Sequence, residues 1–185
     1  DRSTHARALL TLPLDVSSRV GLINVLSLCA DQPALDTAKT FLADPATTAA
    51  AQDAVDAITS NLSGPPTFAA SSSPETASRA SDGNMKTFWM APIVPGEWLR
   101  ADLHNSRPIR KITLEHAARE WDFPANIDVF VSDDPNQPGE ARVQVEGTRY
   151  RTIVTLPAGT HGRYLLIRQT GTRSGPWAIA ELLVE

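Results

Sequence analysis

The sequence predicts a chain in two parts, α + β: a short α-helical segment followed by an antiparallel β-sandwich of the jelly-roll type. Three observations carry this. Residues 1–62 hold one of the ten glycines, three of the fourteen prolines, no tryptophan and a single aromatic residue, Phe41, in a background of Ala and Leu, a composition that favours helix. From Ser63 onward come nine glycines, eleven prolines, all four tryptophans and both tyrosines, spread among short β-branched runs separated by turn residues. Between the two lies Ser63-Gly64-Pro65-Pro66, a linker that neither a helix interior nor a central strand accepts.

In the helical part, a first helix is expected from a Ser3-Thr4 start through Leu12. Asp15 then precedes Val16, Val20, Ile23, Leu26 and Cys29, a spacing of three to four that defines one helix face. Asp31-Gln32-Pro33 supplies an N-cap acceptor and a first-turn proline ahead of Leu35, Ala38, Phe41 and Leu42. Asp44-Pro45 repeats the device before Ala51, Ala54, Ile58 and Leu62. Four helices with very short connections resemble a HEAT-like α-solenoid; a small bundle capping the next domain is the alternative. Such a core is marginal by itself.

In the β part, residues 67–185, strands are predicted over Trp98–Leu103, Ile109–Glu115, Ile127–Ser132, Arg142–Glu146, Tyr150–Leu156, Tyr164–Thr170 and Ala178–Val184. Ile127, Val129 and Val131 share one face, with Asn126, Asp128 and Phe130 on the other. No helical pattern intervenes, so antiparallel pairing is expected rather than a βαβ sheet.

Composition excludes several functions. The formal charge is -4, and the 17 Lys and Arg residues are scattered, so no basic track exists for nucleic acid or anionic lipid. No run of 18 apolar residues spans a bilayer. The single cysteine, Cys29, allows no internal disulfide and reads as a buried thiol. The four histidines, His5, His104, His116 and His161, have no zinc-ligand spacing. No G-x-S-x-G or phosphate-cradling loop occurs, so no enzyme is expected in this stretch. The chain opens on Asp1 and reads as a fragment of a larger multidomain protein.

The β part carries Ala80-Ser81-Asp82-Gly83-Asn84-Met85-Lys86-Thr87-Phe88-Trp89, then Glu97-Trp98-Leu99-Arg100-Ala101-Asp102-Leu103, then Ile109, Ile112 and Leu114, then Ile127–Ser132, Arg163-Tyr164-Leu165-Leu166-Ile167, and Trp177-Ala178-Ile179-Ala180-Glu181-Leu182. In this order the segments resemble the discoidin family, also called the coagulation factor five/eight C-terminal type domain. Its bacterial members include galactose-binding-like carbohydrate-binding modules. The resemblance implies a jelly roll that binds its ligand through loops at one end without catalysis, and it puts Trp89, Trp98 and Trp177 in the framework.

Two candidate sites follow. Asp82, Asn84 and Thr87 offer carboxylate, amide and hydroxyl oxygens within six residues, a hard-cation donor set if a second carboxylate joins them; otherwise Asp-Gly-Asn makes only a tight turn. The resemblance implies a structural Ca²⁺ held by Asp82, Asn84, Thr87 and Glu181, with backbone carbonyls of Arg79 and Ala180. The loop His116–Pro124 offers Trp121 as a stacking face for a pyranose, with His116, Arg119 and Glu120 for its hydroxyls and Arg173 on a neighbouring loop. The alternative is that Trp121 and Phe123 pack under their own loop while Arg119 pairs with Glu120 or Asp122. The expected partners are a glycan or polysaccharide and further domains of the parent chain, in a secreted, periplasmic or cell-surface setting. A protein-interaction or adhesion domain in a helical-repeat scaffold is the second expectation.

Overall fold

A computed structural model describes residues 1–185, apart from the side chain of Ala118. The chain divides into two compact units, Asp1–Gly64 and Pro65–Glu185.

The first unit contains α1 (Arg2–Leu9), α2 (Val16–Leu26), α3 (Gln32–Thr40), a 3₁₀ turn at Phe41–Ala43 and α4 (Thr48–Ser63). Asp15 and Asp31 cap α2 and α3, accepting the N–H of Ser18 and of Ala34, which satisfies donors that a helix start leaves open. Two expectations change here. Asp1 rather than Ser3 or Thr4 caps α1, which ends three residues before Leu12. Asp44-Pro45 does not start α4: the Asp44 carboxylate accepts the Ala46 N–H and its carbonyl accepts those of Thr47 and Thr48. The pair therefore forms a turn, and the helix begins at Thr48. Ile23, Leu26, Ala34, Ala38, Ala54 and Ile58 form the core of this unit, with Cys29 at its margin. Leu12 and Leu28 stay 51% and 69% exposed, so the helices leave apolar surface uncovered. The last helix also takes in Ser63, so the break in the chain is Gly64-Pro65-Pro66.

The second unit has ten strands: β1 (Thr67–Ala70), β2 (Trp89–Pro92), β3 (Trp98–Pro108), β4 (Lys111–Glu115), β5 (Asn126–Ser132), β6 (Val143–Glu146), β7 (Arg151–Thr155), β8 (His161–Gln169), β9 (Pro176–Ile179) and β10 (Glu181–Val184). They form a five-stranded sheet β1-β3-β8-β5-β6, a three-stranded sheet β10-β4-β7 and the pair β2-β9. Every pairing is antiparallel. Leu99, Ala101, Ile127, Val129, Val131, Leu165 and Ile167 of the large sheet meet Ile112, Leu114, Val154 and Leu182 of the smaller one in a single core. Trp89 and Trp177 are fully buried in it, their rings edge to face at 4.9 Å, a favourable aromatic geometry.

Differences from the predicted strands have local causes. Trp98 is only half-buried, because it shares the outward face of β3 with Arg100, whose guanidinium lies 5.8 Å from its ring. It is not a core residue. The strand from Trp98 passes Leu103 and continues to Pro108 across a register shift after Asp102. His104 takes φ +67 at that shift and its N–H donates to the Asp102 carboxylate. The predicted strand Ala178–Val184 is two strands in different sheets, divided at Ala180. β1 and β2 were not predicted, being only four residues long each.

Candidate functional site

The β4–β5, β6–β7 and β8–β9 connections gather at one end of the sandwich. The Tyr150 N–H donates to Glu120 O at 3.3 Å, and the His116 N–H donates to Tyr150 O at 2.9 Å. Arg173 Nη2 donates to the carbonyls of Trp121 and Phe123 at 2.7 and 2.6 Å, with its guanidinium 3.7 Å from the Phe123 ring. Arg173 thus holds the predicted ligand loop in shape from a neighbouring one.

Trp121 lies at the tip of this cluster and is 63% exposed. It does not pack under its own loop. Arg149 sits 3.7 Å over the Trp121 ring and 4.8 Å from the Tyr150 ring, and its guanidinium pairs with Glu120. Cation–π contact and ion pairing fix that guanidinium at the surface, and the Arg149 hydrogen bond holds the Glu120 carboxyl below its ordinary range. Tyr150, 54% exposed, has φ +70, a conformation seldom adopted by a bulky residue. Arg119 pairs with Asp122 and lies 5.0 Å from the Phe88 ring. Trp121, Glu120, Arg149 and Tyr150 therefore form an open aromatic and ionic platform. Arg149 and Tyr150 were not among the predicted residues. By sequence Tyr150 opens a predicted strand and Arg149 precedes it, whereas both lie just before the observed strand β7; no spacing links them to the earlier loop.

His116 is corrected from a ligand contact to a positioning residue. It is 1% exposed, with Nδ1 2.7 Å from the Ala178 carbonyl and Nε2 3.1 Å from Thr152 Oγ1. A carbonyl can only accept, so Nδ1 carries the proton and Nε2 accepts from the threonine. The ring thereby ties the start of the loop to β9 and β7. Burial pushes its pKa down, so the neutral ring is the folded form. The stability this contributes is full above the ordinary histidine value of about 6.5 and is lost as pH falls below it. Melting temperatures measured from pH 7.5 down to 5 are expected to fall, with a shallower slope in His116→Gln.

The second predicted set surrounds the β1–β2 connection. Asp82 accepts the Thr87 hydroxyl at 2.6 Å and the Asn84 N–H at 2.9 Å, and Gly83 has φ +74. Asn84 O accepts the Thr87 N–H at 3.0 Å. Arg79 lies in the 3₁₀ segment Pro74–Ser81 that leads into this turn, and Ala180 immediately precedes Glu181 at the division between β9 and β10. Glu181 is 9% exposed, and its Oε1 is buried without a hydrogen-bond partner. Burial raises its pKa, the N–H groups of Gly83 and Asn84 act against that, and the charge of Asp82 adds to it. Two carboxylates from distant parts of the chain thus share one turn, and one keeps a buried oxygen without a protein partner, which fits a hard cation's demand for oxygen donors. Among the described residues no cluster of three or more His, Cys, Asp or Glu exists, so any ion here relies on amide, hydroxyl and backbone oxygens as well.

The F5/8 type C domain model matches residues 59–182. The chain belongs to the F5/8 type C domain family. No curated protein sequence matches it. Among solved structures, this F5/8 type C chain is similar to the CpGH89CBM32-6 module produced by Clostridium perfringens, with 18% identity and TM-score 0.53 over 65% of this chain and 92% of that one. It is also similar to chitosan-binding module 1 of a chitosanase/glucanase from Paenibacillus sp. IK-5, with 25% identity and TM-score 0.53 over 64% and 92% of the two chains. A third, the family 32 module of Clostridium perfringens NanJ in complex with galactose, has 21% identity and TM-score 0.51 over 64% and 92%. The predicted discoidin-type β-sandwich is the observed fold. No helix of the described residues is long and apolar enough to cross a membrane.

Proposed function

We propose that the β unit is a non-catalytic carbohydrate-binding module of a larger, exported, polysaccharide-active bacterial protein, working in a secreted, periplasmic or cell-surface setting. The observation that carries this is the exposed Trp121 indole beside the fixed Arg149–Glu120 pair. An exposed aromatic face stacks on the C–H face of a pyranose. The guanidinium donates to sugar hydroxyls and the carboxylate accepts from them. Arg119 and Arg173 contribute mainly by shaping the loops. The family-32 likeness supports the reading, since one similar module holds galactose and another is chitosan-binding. A glycan array followed by calorimetric titration tests it: binding that depends on Trp121 is expected, and no response to any glycan would sink the proposal.

We further propose a structural Ca²⁺ on Asp82, Asn84, Thr87 and Glu181, with backbone oxygens of Arg79 and Ala180. When bound, the ion supplies a fixed positive charge that satisfies the buried Glu181 oxygen and cross-links the β1–β2 loop to β10. Calcium is expected to raise the melting temperature and EDTA to reverse it. In metal-free protein the raised pKa of Glu181 makes its ionisation unfavourable to folding, a cost absent at low pH and present once pH rises through the carboxylate range. Glu181→Gln should therefore stabilise the metal-free protein at pH 7 and abolish the calcium response. An unaltered calcium response in that variant rejects the site.

A protein-interaction role for the helical unit is the second reading, supported by the exposure of Leu9, Leu12, Val16 and Leu28, which a stacked HEAT-like repeat would cover.

A further inference from the structure

Three chain segments run side by side away from the Trp121 platform. The Gly147 N–H donates to Ala125 O at 2.9 Å, and the N–H groups of Thr170 and Gly171 donate to Asn126 O at 2.7 and 3.2 Å. A Cβ at Gly147 would stand 2.0 Å from the Pro124 carbonyl oxygen, and one at Gly171 would stand 2.7 Å from Asn126 Oδ1. Only glycine allows the segments to approach this closely. Beyond the contact a polar cavity of about 360 Å³ opens, lined by Asn126, Gln144, Val145, Glu146, Thr170 and Gly171.

The side chains of Asn126, Gln144 and Glu146 are exposed, and among the described residues none has a hydrogen bond or ion pair. Glu146 therefore contributes an unbalanced negative charge to the cavity. Asp128, two residues along the same face of β5, has a buried Oδ1 without a partner, and its Oδ2 meets Arg168 Nη2 only at 3.5 Å. Two residues, Gly147 and Thr148, separate Glu146 from Arg149, so their Cα atoms stand at most about 11 Å apart. The cavity is thus within the span of a short oligosaccharide seated on Trp121.

We propose that this cavity is a second subsite of the glycan site, selecting a sugar that carries a protonated amine, such as a glucosamine unit; the inference rests on the platform reading above. An ammonium has three donors and no acceptor. The Glu146 carboxylate, the amide oxygens of Asn126 and Gln144 and the Thr170 hydroxyl can accept them. Uronic acids and sulfated sugars meet the unpaired carboxylate and are disfavoured.

The test is a nitrogen-15 NMR titration of the whole protein with glucosamine, and with N-acetylglucosamine at matched ionic strength as the uncharged control. Glucosamine is expected to shift the signals of Asn126, Gln144 and Glu146, with N-acetylglucosamine leaving them in place. Glu146→Gln should weaken the response about tenfold, as loss of a charge-assisted hydrogen bond does, and Gln144→Ala provides an independent variant. Equal responses to both sugars, shifts confined to other regions, or an unaffected Glu146→Gln overturn the proposal. If glycans bind in a Trp121-dependent manner while glucosamine leaves the cavity signals unmoved, the subsite fails and the platform stands. If no glycan response depends on Trp121, the platform fails, and the cavity with it as a second subsite.

Discussion

Trp177→Ala is expected to lower the stability of the β unit by about 3–5 kcal/mol, the cost of an emptied aromatic site in a close-packed core. Trp177 is fully buried, pairs edge to face with Trp89 and belongs to the core that the two main sheets share. Its Nε1 has no hydrogen-bond partner, so truncation strands no polar group and the loss is one of packing. Differential scanning calorimetry should place the transition about 15 °C lower. A shift of only two or three degrees would mean that the core collapses around the missing ring, and that the two tryptophans do not act as the central wedge of the sandwich.

Trp121→Ala should do the opposite: abolish most glycan binding and leave the fold unchanged. The indole is 63% exposed, so its removal opens no cavity. An aromatic anchor at the centre of a small site typically contributes about 2 kcal/mol, roughly a thirtyfold loss in affinity. Calorimetric titration reads the affinity, and the melting temperature checks that the loop persists. Persistence is expected because Arg173 and His116 hold the loop through its carbonyls and through β7 and β9, not through the indole. Arg149 loses its stacking partner in this variant but keeps Tyr150 and Glu120. A variant that still binds glycans at full affinity would move the site away from this end of the sandwich.

The candidate sites were legible to different degrees. Asp82, Asn84 and Thr87 lie within six residues, so a local turn alone links them, with the Asp82 carboxylate accepting from the Asn84 N–H and the Thr87 hydroxyl. Glu181 entered through the family resemblance, and the fold bears on it through its buried, unpartnered oxygen beside that turn. Trp121 stood out because a large aromatic residue in a polar loop is unusual. His116 looked equivalent by sequence, since a histidine opening a polar loop gives no sign of its depth; burial under Thr152 and Ala178 decides it. Arg149 was invisible, because its significance depends on an indole twenty-eight positions earlier.

By itself the sequence determined the division into a helical and a β part, the capping of α2 and α3, and the inward faces of the strands. All are set by interactions spanning a few residues: side-chain periodicity, cap hydrogen bonds and the backbone limits of proline and glycine. Tertiary structure alone decided that Trp98 faces outward and that the final β run is split between two sheets. It also decided which charged side chains meet at the loop end, since pairing Arg149 with Glu120 and Trp121 requires strands distant in sequence to bring their connections together. Burial and long-range pairing are properties of the assembled sandwich, and no local pattern encodes them.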